Sequence, residues 1–180
     1  MLLVDLQKYF QHLKEESFRC RIIPNTKDAL AFARTKNFII VHAITEYSQD
    51  KADWPAAYRS RETIWCLQGT EGAEYIDGVA PAPGEHVVVK KRFSAFYNTG
   101  LEQKLDSLSV DSLLICGYAA DCCVRFTTVD AYNIGYRLYW LGDCIDSQWE
   151  ELEQSINYIE RLTQLRTVSN HELLEVFGWE

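Results

Sequence analysis

The sequence predicts an α/β fold, with three α/β/α layers around a six-stranded, mostly parallel sheet. Six short apolar runs alternate with helical segments along the chain, which is the pattern of β-α-β units. No linker, internal repeat or low-complexity tract interrupts this alternation. The chain has 180 residues, enough to bury one substantial core. We therefore expect a single domain over residues 1–180.

The predicted strands are short apolar runs that stop at a polar or turn-forming residue. Their brevity and apolar character indicate strands buried within the domain. In chain order they are Leu2–Val4, Phe38–Val41 with a continuation toward Ile44, His86–Val89, Ser112–Cys116, Arg137–Leu141 and Leu165–Val168.

The predicted helices follow from start signals, stop signals and a 3.6-residue apolar period. Pro24-Asn25-Thr26 opens the first helix. Capping boxes, in which a serine precedes a glutamate by three residues, begin the last two helices at Ser147 and Ser169. A polar amphipathic stretch over 7–16 precedes them all. In chain order the helices are 27–35, 100–105, 124–133, a helix from 147 to about 162, and a final helix after 169–172.

Residues 45–83 have no strong period, although 59–67 is compatible with a partial helix. A long irregular connection in a compact domain is often functional. We expect aromatic side chains from this segment and from the strand ends to line a pocket for a small planar substrate, with plain core packing as the alternative for each. The candidates are Phe10, Tyr47, Trp54, Trp65 and Tyr97.

Composition and charge exclude several classes of function. The net charge of −8 argues against binding to nucleic acid. No apolar segment approaches the ~20 residues of a membrane span, and Met1–Asp5 lacks the features of a signal peptide. The absence of GxGxxG, P-loop and GxSxG motifs gives no indication of dinucleotide, nucleoside triphosphate or serine-hydrolase chemistry. We expect a cytoplasmic protein without a cofactor.

The six cysteines and four histidines are scattered without the spacing of a metal site. Disulfides are not expected in a cytoplasmic chain, so most of these thiols should fill the core. Cys123 differs because it follows the fourth strand at the start of a helix pattern. A thiol there lies near the positive end of a helix dipole, which favours the thiolate.

Three reactive side chains are predicted at strand ends. Asp5 ends the first strand, Lys90 ends the third, and Cys123 follows the fourth. Because the carboxyl ends of parallel strands share one rim of a sheet, we expect these side chains to converge. A carboxylate can accept the thiol proton, and an ammonium can stabilise the thiolate. Together they would make a nucleophile unit.

Four segments carry motifs of a known family. They are Leu3-Val4-Asp5-Leu6-Gln7-Lys8-Tyr9-Phe10, Gly69-Thr70-Glu71-Gly72-Ala73, Lys90-Lys91-Arg92-Phe93-Ser94-Ala95-Phe96 and Gly117-Tyr118-Ala119-Ala120-Asp121-Cys122-Cys123-Val124. In this order they resemble V-D-x-Q-x-x-F, G-T-x-G-A, K-x-R-[YF]-S-A-F and G-x-x-T-x-x-C-V of the isochorismatase-like cysteine hydrolase superfamily, which includes nicotinamidases and N-carbamoylsarcosine amidases. The resemblance covers nearly the whole chain and implies that superfamily's Rossmann-like fold.

The resemblance also implies roles for individual residues. Cys123 would be the nucleophile, Asp5 the general base and Lys90 the cation that stabilises the thiolate. Lys91 and Cys122 are the adjacent alternatives. The motif places the lysine six residues before a phenylalanine, which selects Lys90, and places the cysteine directly before a valine, which selects Cys123.

The family further implies a cis peptide bond between Tyr118 and Ala119. The N–H groups of Ala119 and Cys123 would then form an oxyanion hole. The chain departs from the motif at position 120, where Ala replaces the usual Thr. We expect weaker support of this turn rather than lost chemistry.

A second departure concerns metal binding. Nicotinamidases of the superfamily carry an Asp-x-His pair and a second His for a metal beside the pocket. In this chain His42 lies within the second strand, and the next histidine is His86. The sequence therefore predicts no metal site and argues against nicotinamidase itself. His42 is expected to be a hydrogen-bonded histidine of the core or rim.

By resemblance, we expect a cysteine hydrolase that cleaves a non-peptide C–N bond of a small amide, ureido or carbamoyl compound through a thioester. One alternative is hydrolysis of a vinyl ether, as in isochorismatases, which does not need the cysteine. Another is a catalytically silent scaffold. The expected partners are a small-molecule substrate and further copies of the chain, in a dimer or tetramer.

Overall fold

The computed structural model describes residues 1–177 and contains a six-stranded sheet. The strands are β1 (Leu2–Val4), β2 (Val41–Thr45), β3 (His86–Lys90), β4 (Ser112–Tyr118), β5 (Arg137–Asp146) and β6 (Arg166–Val168). Their spatial order is β3-β2-β1-β4-β5-β6, and every neighbouring pair is parallel. The predicted α/β fold is confirmed.

Helices flank the sheet and connect its strands. They are α1 (Lys8–Leu13), α2 (Glu15–Ser17), α3 (Ile23–Thr35), α4 (Leu101–Ser107), α5 (Cys123–Ile134), α6 (Leu152–Thr163) and α7 (Leu173–Phe177). A π-helical turn over Phe18–Ile22 joins α2 to α3. Within residues 1–177, no helix has both the length and the apolar character that a membrane crossing requires.

The direction of chain progression reverses between β1 and β4, the two central strands. From β1 the chain moves outward through β2 to β3, and from β4 it moves the other way through β5 to β6. In open parallel sheets ligands bind at such a switch point, beyond the carboxyl ends of the strands. β1 and β2 are buried at every position, which explains the unbroken apolar sequence of β1.

Two early elements differ from the prediction. Helix α3 begins at Ile23 rather than at residue 27, because the π-helical turn already supplies helical backbone and Pro24 occupies the first turn. The second strand begins at Val41 rather than Phe38. The Phe38 N–H instead closes α3 by donating to the carbonyl of Ala33.

The central strand β4 continues past the predicted end at Cys116 to Tyr118, and β5 continues to Asp146. Gly117 pairs with Val4 of β1 in a left-handed conformation, with φ of 116°. A bulge between Ile115 and Gly117 shifts the β4–β5 register. The strand thus runs to the turn that precedes α5.

One capping box is confirmed and the other is wrong. The N–H of Ser169 donates to the Glu172 carboxylate and the N–H of Glu172 donates to Oγ of Ser169, as a capping box requires. At the other site α6 begins only at Leu152. The Asp121 carboxylate accepts the N–H groups of 148–150 and holds them as a turn.

The long connection over 45–83 contains no α-helix at 59–67. It forms short 3₁₀ turns at Ala56–Tyr58 and Glu71–Ala73 instead.

Of the cysteines, five are buried as expected, whereas Cys20 is exposed.

Candidate active site

Polar side chains stand in a row at the carboxyl ends of three adjacent strands. Asp5 directly follows β1, and Thr45 and Lys90 are the last residues of β2 and β3. Lys90 Nζ lies 2.7 Å from Asp5 Oδ2 and donates a 2.7 Å hydrogen bond to Thr45 Oγ1. Thr45 Oγ1 in turn donates to Asp5 Oδ1 at 2.9 Å. Thr45 therefore bridges the Asp5 carboxylate and the Lys90 ammonium, and the three side chains form a closed triangle of contacts.

The Asp5–Lys90 ion pair is fully buried, since both side chains are 0% exposed. Burial lowers the pKa of Lys90, but attraction to the Asp5 carboxylate and to Cys123 outweighs it, and the pKa is raised above its ordinary value. Lys90 is thus charged at neutral pH. Among residues 1–177, Asp5 Oδ2 has no aligned hydrogen-bond donor despite its closeness to Nζ, so this oxygen still has room for a donor.

Cys123 is the first residue of α5 and interacts with both members of the ion pair. A hydrogen bond with Cys122, burial and the Asp5 carboxylate raise the pKa of the Cys123 thiol well above its ordinary value, while Lys90 lowers it. This differs from the predicted thiolate, because burial and a carboxylate oppose the helix terminus and the ammonium. These surroundings favour the neutral thiol of Cys123 over the thiolate.

Lys91 is directed away from this row. Its Nζ lies 2.9 Å from a carboxylate oxygen of Asp53 and also donates to the carbonyl of Glu46. Adjacent strand residues point to opposite faces, so only one of two consecutive lysines can reach Asp5. That residue is Lys90.

A cavity of about 250 Å³ opens above the thiol. Cys122 and Cys123 both lie in its wall, together with Ala119 and Tyr118 from the end of β4. The remaining lining is mostly aromatic, which suits a small ligand with a planar group. The cavity lies at the switch point between β1 and β4.

The predicted pocket aromatics separate into two groups. Phe10 and Trp65 line the cavity. Tyr47 and Trp54 do not, since they pack with Ile64 in a separate buried cluster within the 45–83 connection. Tyr97 is 56% exposed and lies outside the lining. Core packing, the alternative to a pocket role, thus applies to Tyr47 and Trp54, whereas Tyr97 fits neither interpretation because its ring is exposed.

Sequence reasoning missed Thr45 and Gln7 as part of this arrangement. Gln7 is buried, and its amide donates to the carbonyl of Thr45 and accepts the N–H of the same residue. The strand-end rule that selected Asp5 and Lys90 applies equally to Thr45, which directly follows the predicted continuation of the second strand toward Ile44. In the sequence, Gln7 stands out only as a position of the V-D-x-Q-x-x-F motif.

The turn between β4 and α5 places backbone amides beside the thiol. The Tyr118–Ala119 peptide bond is cis. The N–H of Ala120 donates to the carbonyl of Asp146 at 2.8 Å, so backbone bonding holds the turn where the motif has a threonine. The Cys123 N–H lies at the N-terminus of α5, where amides lack intrahelical acceptors.

The metal site of nicotinamidases does not fit these residues. His42 is buried, and its Nε2 lies 2.8 Å from a carboxylate oxygen of Glu85. In the described part of the chain, no group of three or more His, Cys, Asp or Glu side chains is arranged to hold a metal ion.

Comparisons with known proteins address the family. An isochorismatase domain model matches residues 1–171. A probable inactive nicotinamidase of Arabidopsis thaliana is 30% identical over 120 residues, 64% of this chain and 61% of that protein. The N-carbamoylsarcosine amidase of an Arthrobacter species is 35% identical over 121 residues, 64% of this chain and 46% of that protein. Each match spans less than two thirds of the relative.

A solved structure agrees over a longer span. An isochorismatase family protein from Desulfovibrio vulgaris superposes with a TM-score of 0.84 at 28% identity, covering 98% of this chain and 96% of that one. With the domain model matched over nearly the whole length, the resemblance found in the sequence is confirmed, and the chain belongs to the isochorismatase family.

Proposed function

We propose that this protein is a cysteine hydrolase that cleaves a non-peptide C–N bond in a small amide, ureido or carbamoyl compound. The observation that carries the proposal is the buried Asp5–Lys90 pair, which interacts with Cys123 in the wall of the cavity. A carboxylate with an unaligned oxygen, a neutral thiol and an ammonium supply a proton acceptor, a nucleophile and a fixed positive charge. Amidases among the relatives agree with this class of reaction.

The first half-reaction forms a thioester. Asp5 accepts the thiol proton as Sγ of Cys123 attacks the carbonyl carbon, and the oxygen becomes an oxyanion. The N–H groups of Ala119 and Cys123 donate to that oxygen, a type of interaction worth about 3 kcal/mol for each donor. The C–N bond then breaks, and Asp5 returns its proton to the departing nitrogen, which leaves as ammonia or an amine.

The second half-reaction hydrolyses the thioester. Asp5 accepts a proton from water, whose oxygen attacks the same carbonyl carbon. The C–S bond breaks, the acid product leaves, and Asp5 passes the proton that it took from water to the sulfur. Lys90 remains protonated throughout, which stabilises both the Asp5 carboxylate and the developing thiolate.

Ammonia release from a panel of amides and ureido compounds tests the proposal, with Cys123→Ala compared against Cys122→Ala. We expect Cys123→Ala to lower kcat at least about 10³-fold, since removal of a nucleophile disables the whole unit. Cys122→Ala should retain turnover. Full ammonia release by Cys123→Ala would contradict the mechanism. Turnover of a vinyl ether that survives in Cys123→Ala, without ammonia release from the panel, would favour vinyl-ether hydrolysis. Failure of wild-type protein to turn over any member would favour a silent role.

A further inference from the structure

The cavity beside Cys123 has a single charged side chain in its wall. Among the lining residues that the structure describes, Arg61 alone carries a charge, and the others are aromatic, aliphatic, thiol or amide. The Lys90 charge behind the thiol is already opposed by Asp5 at 2.7 Å. The Arg61 guanidinium is therefore the uncompensated charge that a ligand in this cavity meets.

Arg61 is held in place without an acidic partner. Its guanidinium lies 4.6 Å from the ring centre of Tyr58, and that ring packs edge-on against Trp65 at 4.7 Å. Arginines elsewhere pair with glutamates, as Arg34 and Arg166 do. Within residues 1–177, Arg61 has no carboxylate within the 4.0 Å of an ion pair. A stacked guanidinium of this kind keeps its N–H donors free for a ligand.

The positive charge of Arg61 contrasts with the negative charge of the protein as a whole. The protein as a whole carries a net charge of −8, which repels anions at long range. An aromatic wall with one positive charge and no carboxylate reverses that preference locally. Guanidinium groups bind carboxylates through two parallel hydrogen bonds, with matching geometry on both partners.

We propose that the substrate of this site is a small amide or ureido acid whose carboxylate binds Arg61 while its scissile carbonyl lies against Cys123. This inference rests on the proposed function and adds the class of substrate. The volume of about 250 Å³ lies below the roughly 300–1,000 Å³ of typical ligand pockets, so the acid is small. Arg61 is then the residue that selects acids over neutral amides.

Alkylation of Cys123 with a charged and a neutral reagent tests the inference without any turnover. Iodoacetate and iodoacetamide both form an S–CH₂ bond and release iodide, and they differ only in a carboxylate against a carboxamide. The second-order rate at Cys123 is measured for each, with fragmentation of the labelled peptide to separate Cys123 from Cys122. Their ratio cancels the intrinsic reactivity of the thiol and reports preference for the carboxylate.

We expect Arg61→Met to lower the iodoacetate-to-iodoacetamide ratio about tenfold, the equivalent of one lost charge-assisted contact. Arg61→Lys keeps the charge but loses the two parallel hydrogen bonds, so its ratio should lie between those of wild type and Arg61→Met. Arg59→Met is the matched control, because Arg59 lies on the same segment and instead donates to the carbonyl of Trp54. Circular dichroism confirms folding, which substitution of the exposed Arg61 should leave intact.

An unchanged ratio in Arg61→Met, an equal fall in Arg59→Met, or no labelling of Cys123 by iodoacetate would overturn the inference. These outcomes are separate from those for the proposed function. If the ratio depends on Arg61 while no C–N bond is cleaved, the carboxylate site stands and the hydrolase proposal fails. If amides are hydrolysed through Cys123 while the ratio ignores Arg61, the reverse holds.

Discussion

Thr45 shows how one hydroxyl can organise a buried ion pair. It accepts a hydrogen bond from Lys90 and donates one to Asp5, so its orientation depends on both charges. Its own backbone is fixed by the amide of Gln7. We interpret Thr45 as a positioning residue that keeps Asp5 Oδ1 occupied and leaves Oδ2 as the oxygen that meets the thiol proton.

Thr45→Val should lower kcat about 10- to 100-fold with little change in KM, because a hydrogen bond to a charged group is worth about 1.5–3 kcal/mol. Thr45→Ser keeps the hydroxyl and should recover most of the rate. Thr163→Val is the matched control, since that buried hydroxyl bonds only backbone groups, donating to the carbonyl of Ile159 and accepting the N–H of Leu165 among the described residues. Steady-state kinetics on any accepted amide measure the effect. A rate loss in Thr45→Val equal to that in Thr163→Val would contradict a positioning role.

The Asp5–Lys90 pair should also be visible in stability. Lys90→Met leaves the buried Asp5 carboxylate without its cation, and breaking a buried pair costs about 3–5 kcal/mol. The double variant Asp5→Asn, Lys90→Met removes both charges and should be closer to wild type than Lys90→Met alone. Urea unfolding at pH 7 measures the free energies. Additive losses in the double variant would mean that the two side chains are not energetically coupled.

The sequence predicted the strand ends well enough to bring Asp5, Lys90 and Cys123 to one rim. It failed for Tyr47 and Trp54, because apolar patterns do not reveal the path of an irregular connection. Both rings pack with Ile64 in a separate cluster rather than over the thiol. Arg61, in the same connection, carried no pattern that separated it from a surface charge.

At the scale of elements, the two capping boxes show when local signals suffice. Ser169 and Glu172 satisfy each other's backbone groups, and the distant Asp143 carboxylate binds the N–H of Asn170 between them without displacing this exchange. After β5, Asp121 accepts three backbone N–H groups of 148–150 from far along the chain. A long-range carboxylate therefore displaces the helix start, which no local motif could reveal. The resulting turn brings Gln148 and Trp149 to the cavity wall.

Gly117 determines how closely β1 and β4 approach. A Cβ built at this position would lie 2.0 Å from the carbonyl oxygen of Val4, and φ is 116°. An alanine would have to separate the two strands whose ends carry Asp5 and Cys123. Only glycine satisfies both the conformation and the contact.

We expect Gly117→Ala to destabilise the fold by about 3 kcal/mol or more, from backbone strain plus overlap with Val4. Gly135→Ala is the matched control, because Gly135 also has a left-handed φ, of 109°, but has open space around its Cβ position. That variant should lose only about 1 kcal/mol. Denaturant unfolding compares them. Equal losses would mean that conformation alone, and not strand contact, requires glycine at 117.

At the scale of the whole molecule, Glu85 joins parts of the chain that are distant in sequence. Its carboxylate accepts hydrogen bonds from Arg34 of α3 at 2.7 Å and from the backbone N–H of Ala82 at 2.9 Å, and it lies 2.8 Å from His42 of β2. It thus ties a flanking helix, the sheet and the end of the long connection together. The expected assembly into a dimer or tetramer and the cytoplasmic location stay predictions.

This junction predicts acid sensitivity of the fold. Burial opposes ionisation of Glu85, but its bonds to Arg34, Ala82 and His42 lower its pKa from 4.5 to about 2. Because the folded-state pKa lies below that of the unfolded chain, the stabilisation is complete above about pH 4.5 and is lost as the pH falls through about 2. Burial also lowers the pKa of His42, so protonation of this ring at low pH further destabilises the folded state.

Glu85→Gln should therefore destabilise the protein by about 2 kcal/mol at pH 7, the worth of hydrogen bonds to a charged group, and the difference from wild type should shrink between pH 4.5 and 2. Glu153→Gln on the exposed face of α6 is the matched control, with an expected effect within about 0.5 kcal/mol at either pH. Urea unfolding across this pH range measures both. If the difference in unfolding free energy between wild type and Glu85→Gln stayed constant down to pH 2, the stabilisation would come from the shape of the side chain and not from its charge. A stabilisation by the charged carboxylate must decline as acid protonates Glu85.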